Sequence, residues 1–369
     1  MSAMKLFFAG DISPTVDSEQ TLLSGDLNAA FGTIPTLVKG ADRFIVNLEC
    51  ALTRQDTPIR KMGPNLRADP DCAKVLAELG VTDVGLSNNH VYDYGHAGFV
   101  DTLAALDKVS LPYTGVGANE KSARKPHYMK VGGRTIALIA VCEHEYTYAL
   151  KDREGCWGFD PFETMEDIAS AAQNSDLVIV MYHGGKEQSP YPSPRLRKAC
   201  QAMVRAGADL ILCQHSHCIG VMETYQDKTI VYGQGNFHFV KHSDNLHWKN
   251  GMLLQMDWDG SAKPAYTFHP VSVLEHGITL ATGEEKQSLL DAFYARTEVL
   301  MDDARWMAEW NAFCESVRPT YRRGIASAFK DDEDEPAQIF PHFLDCEAHT
   351  DVWRQLYPTW NKSNQIEST

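Results

Sequence analysis

His215 and His217 stand one residue apart, and on an extended segment alternate residues face the same side, so their imidazoles can meet one metal ion together. His183 precedes Gly184-Gly185, where glycine lets the backbone turn sharply beside a site. Asp11, Asn47, Glu49 and Asn89 add oxygen ligands, and His90 beside Asn89 can donate a proton or stabilise an anion. Taken singly, each has an ordinary explanation. Asp11 can cap a helix or close an Asx turn, Asn89 can serve turn chemistry before Tyr92 and Asp93, and His183 can be a satisfied histidine at a sheet end. Glu49 is harder to explain away, because a carboxylate at the end of an apolar strand needs a compensating charge, which a metal supplies.

The elements that must position these residues share one grammar. KLFFAG runs into Asp11, RFIV into Asn47 and Glu49, VGLS into Asn88-Asn89-His90, LVIVMY into His183, and LILC into the QHSH segment. In open α/β sheets ligands bind outside the carboxyl ends of the strands, so five polar clusters at five strand ends point to one shared centre. Between the runs lie helical stretches. Asp69–Leu79 has Asp69-Pro70 at its start, a Val75, Leu76, Leu79 stripe and a Gly80 stop; Pro194–Ala206 ends at Gly207; Gly98–Lys108 and Glu163–Asn174 have the same covering character. RTIALIAVC is a buried strand by its length and β-branched content. The alternation extends from Met4 to about His276, which predicts sheets covered by helices. The expected division is residues 1–281 as one α/β domain and 282–369 as a helical C-terminal extension packing on or near it. In that tail Glu284–Arg305 is amphipathic, Trp306–Trp310 continues it, and Asp331–Glu335 is an acidic run expected to be a solvated loop.

Composition narrows the function classes. The 369 residues are 44% hydrophobic and 22% charged, as in globular domains. A net charge of -15 argues against a nucleic-acid surface, so an anionic partner needs a local basic pocket. Lys61 and Arg67, between the second and third ligand segments, are the candidates, with Lys186 as a third. No run is long enough for a membrane anchor, and MSAMKLFFAGD is too short and too quickly acidic for a secretory signal, so a cytoplasmic location is expected. Nine scattered cysteines without a CxxC pair predict reduced, buried thiols, Cys213 and Cys218 beside the His215 pair included.

Six segments in order, GDIS, VNLE, SNNHVYDYG, YHGG, QHSHCIG and YGQGNF, together with KMGPNLRADP, resemble the CapA family associated with poly-γ-glutamate capsule synthesis, within the calcineurin-like metallophosphatase superfamily. The resemblance covers about residues 4–275. It implies a four-layer α/β/β/α sandwich with a metal centre at one edge of two sheets, and one or two divalent ions, Mn, Fe or Zn. His183, His215 and Asn89 would hold one ion, and Asp11 and His217 the other, with Glu49 or Asn47 near the bridge. His90 resembles the histidine that assists the leaving group, and a pairing with Asp93 is expected. Asn236, in the GNF segment, is expected near the site, with tight-turn chemistry at Gly235-Asn236 as the alternative. Two departures stand out: Ser13 replaces the histidine of the superfamily's Asp-x-His motif, and Val46-Asn47 replaces glycine-aspartate.

A metal in such a site acidifies bound water and polarises the bond to be broken, which serves a phosphoester or an amide equally. The reading is a metal-dependent hydrolase for an anionic small molecule or polymer, acting on a phosphoester or a γ-glutamyl-type bond. The alternative is an accessory protein that binds metal or polyglutamate without turnover. His144 and Glu145, after the RTIALIAVC strand, either reach the pocket or cap the strand.

Overall fold

Alternation of side chains along the strands decides the layering. In Met4–Ile12, Phe7 and Ala9 join one buried cluster while Leu6 and Phe8 join another. The computed structural model describes residues 3–14, 17–241, 244–260, 263–329 and 339–358. Within them, two large sheets face each other. The first runs in the order Ile278–Leu280, Ala265–Val273, Asn250–Trp258, Met4–Ile12, Arg43–Leu48, Asp83–Gly85, Tyr113–Thr114. The second runs Met222–Tyr225, Lys228–Val231, Leu210–Gln214, Leu177–His183, Arg134–Cys142, His127–Val131.

Leu6, Phe8, Ile45 and Leu254 of the first sheet pack against Leu138, Ile179, Met181 and Leu212 of the second, which makes the central core. The outer face of the first sheet, with Phe7, Phe44, Val46 and Val84, is covered by Phe31, Leu76, Phe99 and Leu106 of surrounding helices. The outer face of the second, with Ile139, Val180 and Ile211, is covered by Ile168, Leu196, Cys200 and Met203. The result is the four-layer α/β/β/α sandwich. Each fully buried Leu, Ile, Val or Phe contributes about 1.5–3 kcal/mol of transfer free energy, so three such clusters supply the bulk of the driving force.

Both sheets are parallel at their centres. Met4–Ile12, Arg43–Leu48, Asp83–Gly85 and Tyr113–Thr114 run together in one, and Arg134–Cys142, Leu177–His183, Leu210–Gln214 and Lys228–Val231 in the other. Their carboxyl ends therefore open onto the same edge.

The helices follow their sequence signals closely. Pro194–Ala206 starts with Ser193 as N-cap, its hydroxyl accepting from Leu196 N, and Glu163–Asn174 has the expected bounds. The helix expected from Asp69 begins instead at Cys72, because Asp69 closes a turn: its carboxylate accepts from Asp71 N and its carbonyl from Cys72 N. Gly98–Lys108 starts earlier, at Gly95.

Beyond Leu280 the described chain is helical, with Gly283–Leu300, Asp303–Ser327, Ile339–Asp345 and Glu347–Leu356. The amphipathic stretch predicted to run on from Glu284 through Trp310 is broken at Asp302, whose carboxylate accepts from Ala304 N and Arg305 N and caps a second helix. Leu300 and Trp306 enter the second sheet's outer core, and Trp310, Tyr321, Phe343 and Val352 form a cluster of their own. The acidic run Asp331–Glu335 lies outside the described residues. No helix among the described residues is long and apolar enough to cross a membrane. All nine cysteines are free and buried.

Candidate metal centre

Asp11, Asn47, Glu49, Asn89, His183, His215 and His217, dispersed over 207 positions of sequence, are all buried at the shared sheet edge. Two triads have ligand atoms within 4.8 Å of one another: Glu49, His183 and His215, and Asp11, Glu49 and His217. Glu49 is common to both.

The backbone brings them there by close approach. The pairing of Met4–Ile12 with Arg43–Leu48 slips between Phe8 and Asp11, and at Gly10 within that slip an added Cβ would stand 2.1 Å from Gly235 O. Glycine at position 10 thus lets the first strand touch the GNF segment, and Asp11 bridges to Asn236. The HxH pair is built differently from the expected extended segment. The strand ends at Gln214, and His215 and His217 take φ values of 80° and 53°. Left-handed backbone at a non-glycine residue costs about 1–3 kcal/mol and persists where surrounding structure imposes it. Here Asp11 Oδ2 accepts from His215 N at 3.0 Å, and His217 Nδ1 lies 2.9 Å from Asn236 Oδ1.

The chemistry of the donor set fits a divalent cation. Both oxygens of Glu49 are buried without a hydrogen-bond partner, although Oε1 lies 3.3 Å from His183 Nε2. Burial, with Asp11 nearby, pushes its carboxyl well above the ordinary range. An unpaired buried carboxylate costs several kcal/mol, roughly, and a bound cation removes that cost. Burial and the neighbouring His215 hold the His183 imidazole well below its usual pKa, and burial lowers His217 as well. Neutral imidazole is the form that binds metal. His183 Nε2 stands 3.0 Å from Asn89 Oδ1, and His215 Nδ1 is a further buried atom without a partner.

Asn47 is spent on orienting its neighbours. Its Nδ2 donates to Asp11 Oδ1 at 2.7 Å and lies 3.1 Å from His183 Nδ1, while its Oδ1 accepts from Asn88 Nδ2 at 3.3 Å. Between the two bridge candidates, Glu49 is therefore the one with free ligand atoms. Ser13 is buried, and its amide donates to His238 O.

His90, next in sequence to Asn89, is buried with its Nδ1 2.6 Å from Asp93 Oδ2. Burial, together with the nearby Lys61 charge, lowers its pKa.

Lys61 departs from its expected place on a substrate. Its Nζ is buried, donating to Asn89 O at 3.1 Å and Asp93 Oδ1 at 2.5 Å with His90 Nδ1 3.1 Å away, so it is held inside the protein. Arg67 is exposed, sits 5.2 Å from the Tyr94 ring centroid, and lines a cavity of 480 Å³ with Ser13, Thr53, Arg54 and Asn65. Asn236 is next to the centre, with its Nδ2 buried and unpartnered. Cys213 and Cys218 are buried and take no part in either triad.

Of the pair past the RTIALIAVC strand, Glu145 is the one that reaches the site, whereas Trp248 carries no sequence signal of the kind that revealed the others. Glu145 reaches in from an irregular loop, with Oε2 accepting from Asn89 Nδ2 at 3.0 Å and Oε1 3.4 Å from His215 Nε2; its neighbour His144 points away to Glu347. Trp248 stacks on His217, ring centroids 4.4 Å apart at 27°.

With this geometry in view, comparison with known proteins is informative. The family described as bacterial capsule synthesis protein PGA_cap matches residues 5–241. The chain is 32% identical over 218 residues to the capsule biosynthesis protein CapA of Bacillus anthracis, covering 57% of this chain and 53% of that protein. It is 31% identical over 241 residues to the PGA biosynthesis protein CapA of Bacillus subtilis (strain 168), covering 63% and 62%. The chain thus matches a little over half the length of these relatives. Among solved structures, a putative 5'-nucleotidase from Staphylococcus aureus superposes with a TM-score of 0.44 at 14% identity, over 80% of this chain and 58% of that one.

Proposed function

The chain belongs to the bacterial capsule synthesis protein PGA_cap family, and from that premise we propose that it is a metal-dependent hydrolase of an anionic substrate, cleaving a phosphoester or a γ-glutamyl-type bond. The observation that carries this reading is Glu49, buried with both oxygens unpartnered and shared by two ligand triads. His183, His215, Asn89 and Glu49 would hold one ion, Asp11, His217 and Glu49 a second. A divalent ion there supplies Lewis acidity and acidifies water to a pKa of about 7.

The remaining steps belong to the chain. Asp93 takes the Nδ1 proton of His90 as a hydrogen bond, which fixes the tautomer and leaves Nε2 to exchange a proton with a leaving group. Arg67 offers a guanidinium in the cavity that Ser13 also lines, suited to a carboxylate or phosphate. Asn236 Nδ2 is a further donor beside the centre.

Elemental analysis of protein reconstituted with Mn, Fe or Zn, combined with assays on a chromogenic phosphoester and a γ-glutamyl anilide, tests the reading. Bound metal and turnover in the wild type, both lost in His183→Ala and His215→Ala, are expected. Folded protein that takes up no metal would overturn it. Ser13 favours a second reading, an accessory protein that binds metal or polyglutamate without turnover, since the superfamily's histidine ligand is missing at that position. Metal binding and polyglutamate binding with neither substrate hydrolysed would select it.

A further inference from the structure

Glu145 touches two of the proposed ligands without belonging to either triad. By accepting from Asn89 Nδ2 at 3.0 Å, it turns Asn89 Oδ1 toward His183 Nε2. Its other oxygen lies 3.4 Å from His215 Nε2, while His215 Nδ1 is buried and unpartnered. An imidazole that binds metal through one nitrogen ordinarily donates the other N–H to a carboxylate or carbonyl, which fixes its tautomer and orientation. Glu145 stands where that carboxylate belongs for His215, and the same group sets the amide of Asn89.

Glu145 is held in turn by residues far beyond 241, where the family match ends. Cys346 Sγ donates to Glu145 Oε1 at 3.6 Å. Glu347 binds the preceding residue twice, accepting from His144 N at 2.8 Å and pairing with His144 Nδ1 at 2.7 Å. On the other side, the Tyr146 ring stacks on His342 at 5.1 Å and 16°. The Glu347–Leu356 helix makes a second anchorage through Asp351, which accepts from Ser193 Oγ at 2.6 Å and Arg195 Nε at 2.9 Å. Arg195 pairs with Glu143 Oε1, and Glu143 Oε2 accepts from Gly185 N at 3.1 Å, two residues past His183. One C-terminal helix thus grips the loop that carries Glu145 and, through Arg195 and Glu143, the loop that follows His183.

We propose that Glu145 is a positioning residue of the metal centre, orienting His215 and Asn89, and that the Glu347–Leu356 helix holds it in place, so that the C-terminal extension is a working part of the site. This rests on the metal-binding reading above.

The test is calorimetric titration of metal-free, full-length protein with Mn²⁺, alongside its thermal melting, for the wild type, Glu145→Gln and Glu347→Gln. Glu145→Gln is expected to raise the Kd about 10–100-fold, the usual cost of losing such a partner, with metal-free melting close to the wild type. Glu347→Gln is expected to raise it less, although it touches no ligand. Wild-type affinity in Glu145→Gln overturns the positioning role, and wild-type affinity in Glu347→Gln overturns the part assigned to the helix. A wild type that binds no Mn²⁺ sinks the metal reading itself, which separates the two failures. Should Glu145→Gln fail to fold, Glu145→Asp, which keeps the charge but draws the carboxylate back from Asn89 and His215, takes its place with the same two outcomes.

Discussion

Lys61 Nζ lies 2.5 Å from Asp93 Oδ1, with side-chain exposures of only 2% and 0%. The other oxygen of Asp93 meets His90 Nδ1 at 2.6 Å and Leu66 N at 2.6 Å. Asp93 thus ties the segment carrying Asn89 and His90 to the loop carrying Lys61 and Arg67. A cation that looked available for substrate is part of the frame that orients a catalytic candidate.

Substituting Lys61 should therefore act on stability first. Lys61→Met leaves Asp93 buried with its charge uncompensated, and breaking a buried pair in this way costs about 3–5 kcal/mol. Arg67→Ala, at an exposed position, should stay within about 0.5 kcal/mol of the wild type and weaken binding of an anionic substrate instead. Urea unfolding of both variants separates the roles; equal midpoints would show that the Lys61 pair is not structural.

The contact between His144 and Glu347 should make docking of the C-terminal helices depend on pH. Its hydrogen bond to Glu347, with Asp345 nearby, raises the His144 pKa against partial desolvation. A histidine whose folded pKa exceeds its unfolded value contributes fully below the unfolded value, about 6.5, and loses that contribution as pH rises through the folded pKa. The stability difference between wild type and Glu347→Gln should accordingly be largest near pH 6 and shrink toward pH 8.5. Melting temperatures across that range measure it, and a flat difference would exclude the mechanism.

What could be read from sequence was what depends on local pattern. Runs such as LVIVMY and LILC are apolar enough to be central strands, and the polar residue after each must lie at a sheet end, so the positions of His183 and His215 followed from chain periodicity. The burial of Lys61 depends on two acceptors, Asn89 O and Asp93 Oδ1, from another segment, and the hold on Glu145, whose place past a strand end was legible, depends on an irregular loop braced by residues about 200 positions away. Neither leaves a periodic trace. The local conformation of the HxH segment was also hidden, because the left-handed backbone at His215 and His217 is held by Asp11 and Asn236 from other parts of the chain.

Gly10 offers a purely steric test of how the centre is assembled. A Cβ there would meet the Gly235 carbonyl at 2.1 Å, backbone against backbone, with no flexible side chain to yield. Gly10→Ala must push the first strand away from the segment that carries Asn236, at a cost of about 1–3 kcal/mol or more. Asp11 moves with it, so Mn²⁺ affinity should fall together with the unfolding midpoint. A variant that binds Mn²⁺ as the wild type does would show that Asp11 is dispensable to the centre.

His90 and His183 should fail in different ways. His183 belongs to a triad with Glu49 and His215, so His183→Ala should lose metal and turnover together. His90 belongs to neither triad and is tied through Nδ1 to Asp93, which suits proton exchange rather than metal binding. Positioned acid–base groups contribute about 10²–10⁴-fold to rate, so His90→Gln should lower kcat by that factor on a phosphoester that the wild type hydrolyses, with metal content and KM little changed. Elemental analysis and steady-state kinetics on the same preparations read both quantities. Loss of metal in His90→Gln would move His90 into the ligand set, whereas full activity would remove it from the chemistry and leave Asp93 with a structural role alone.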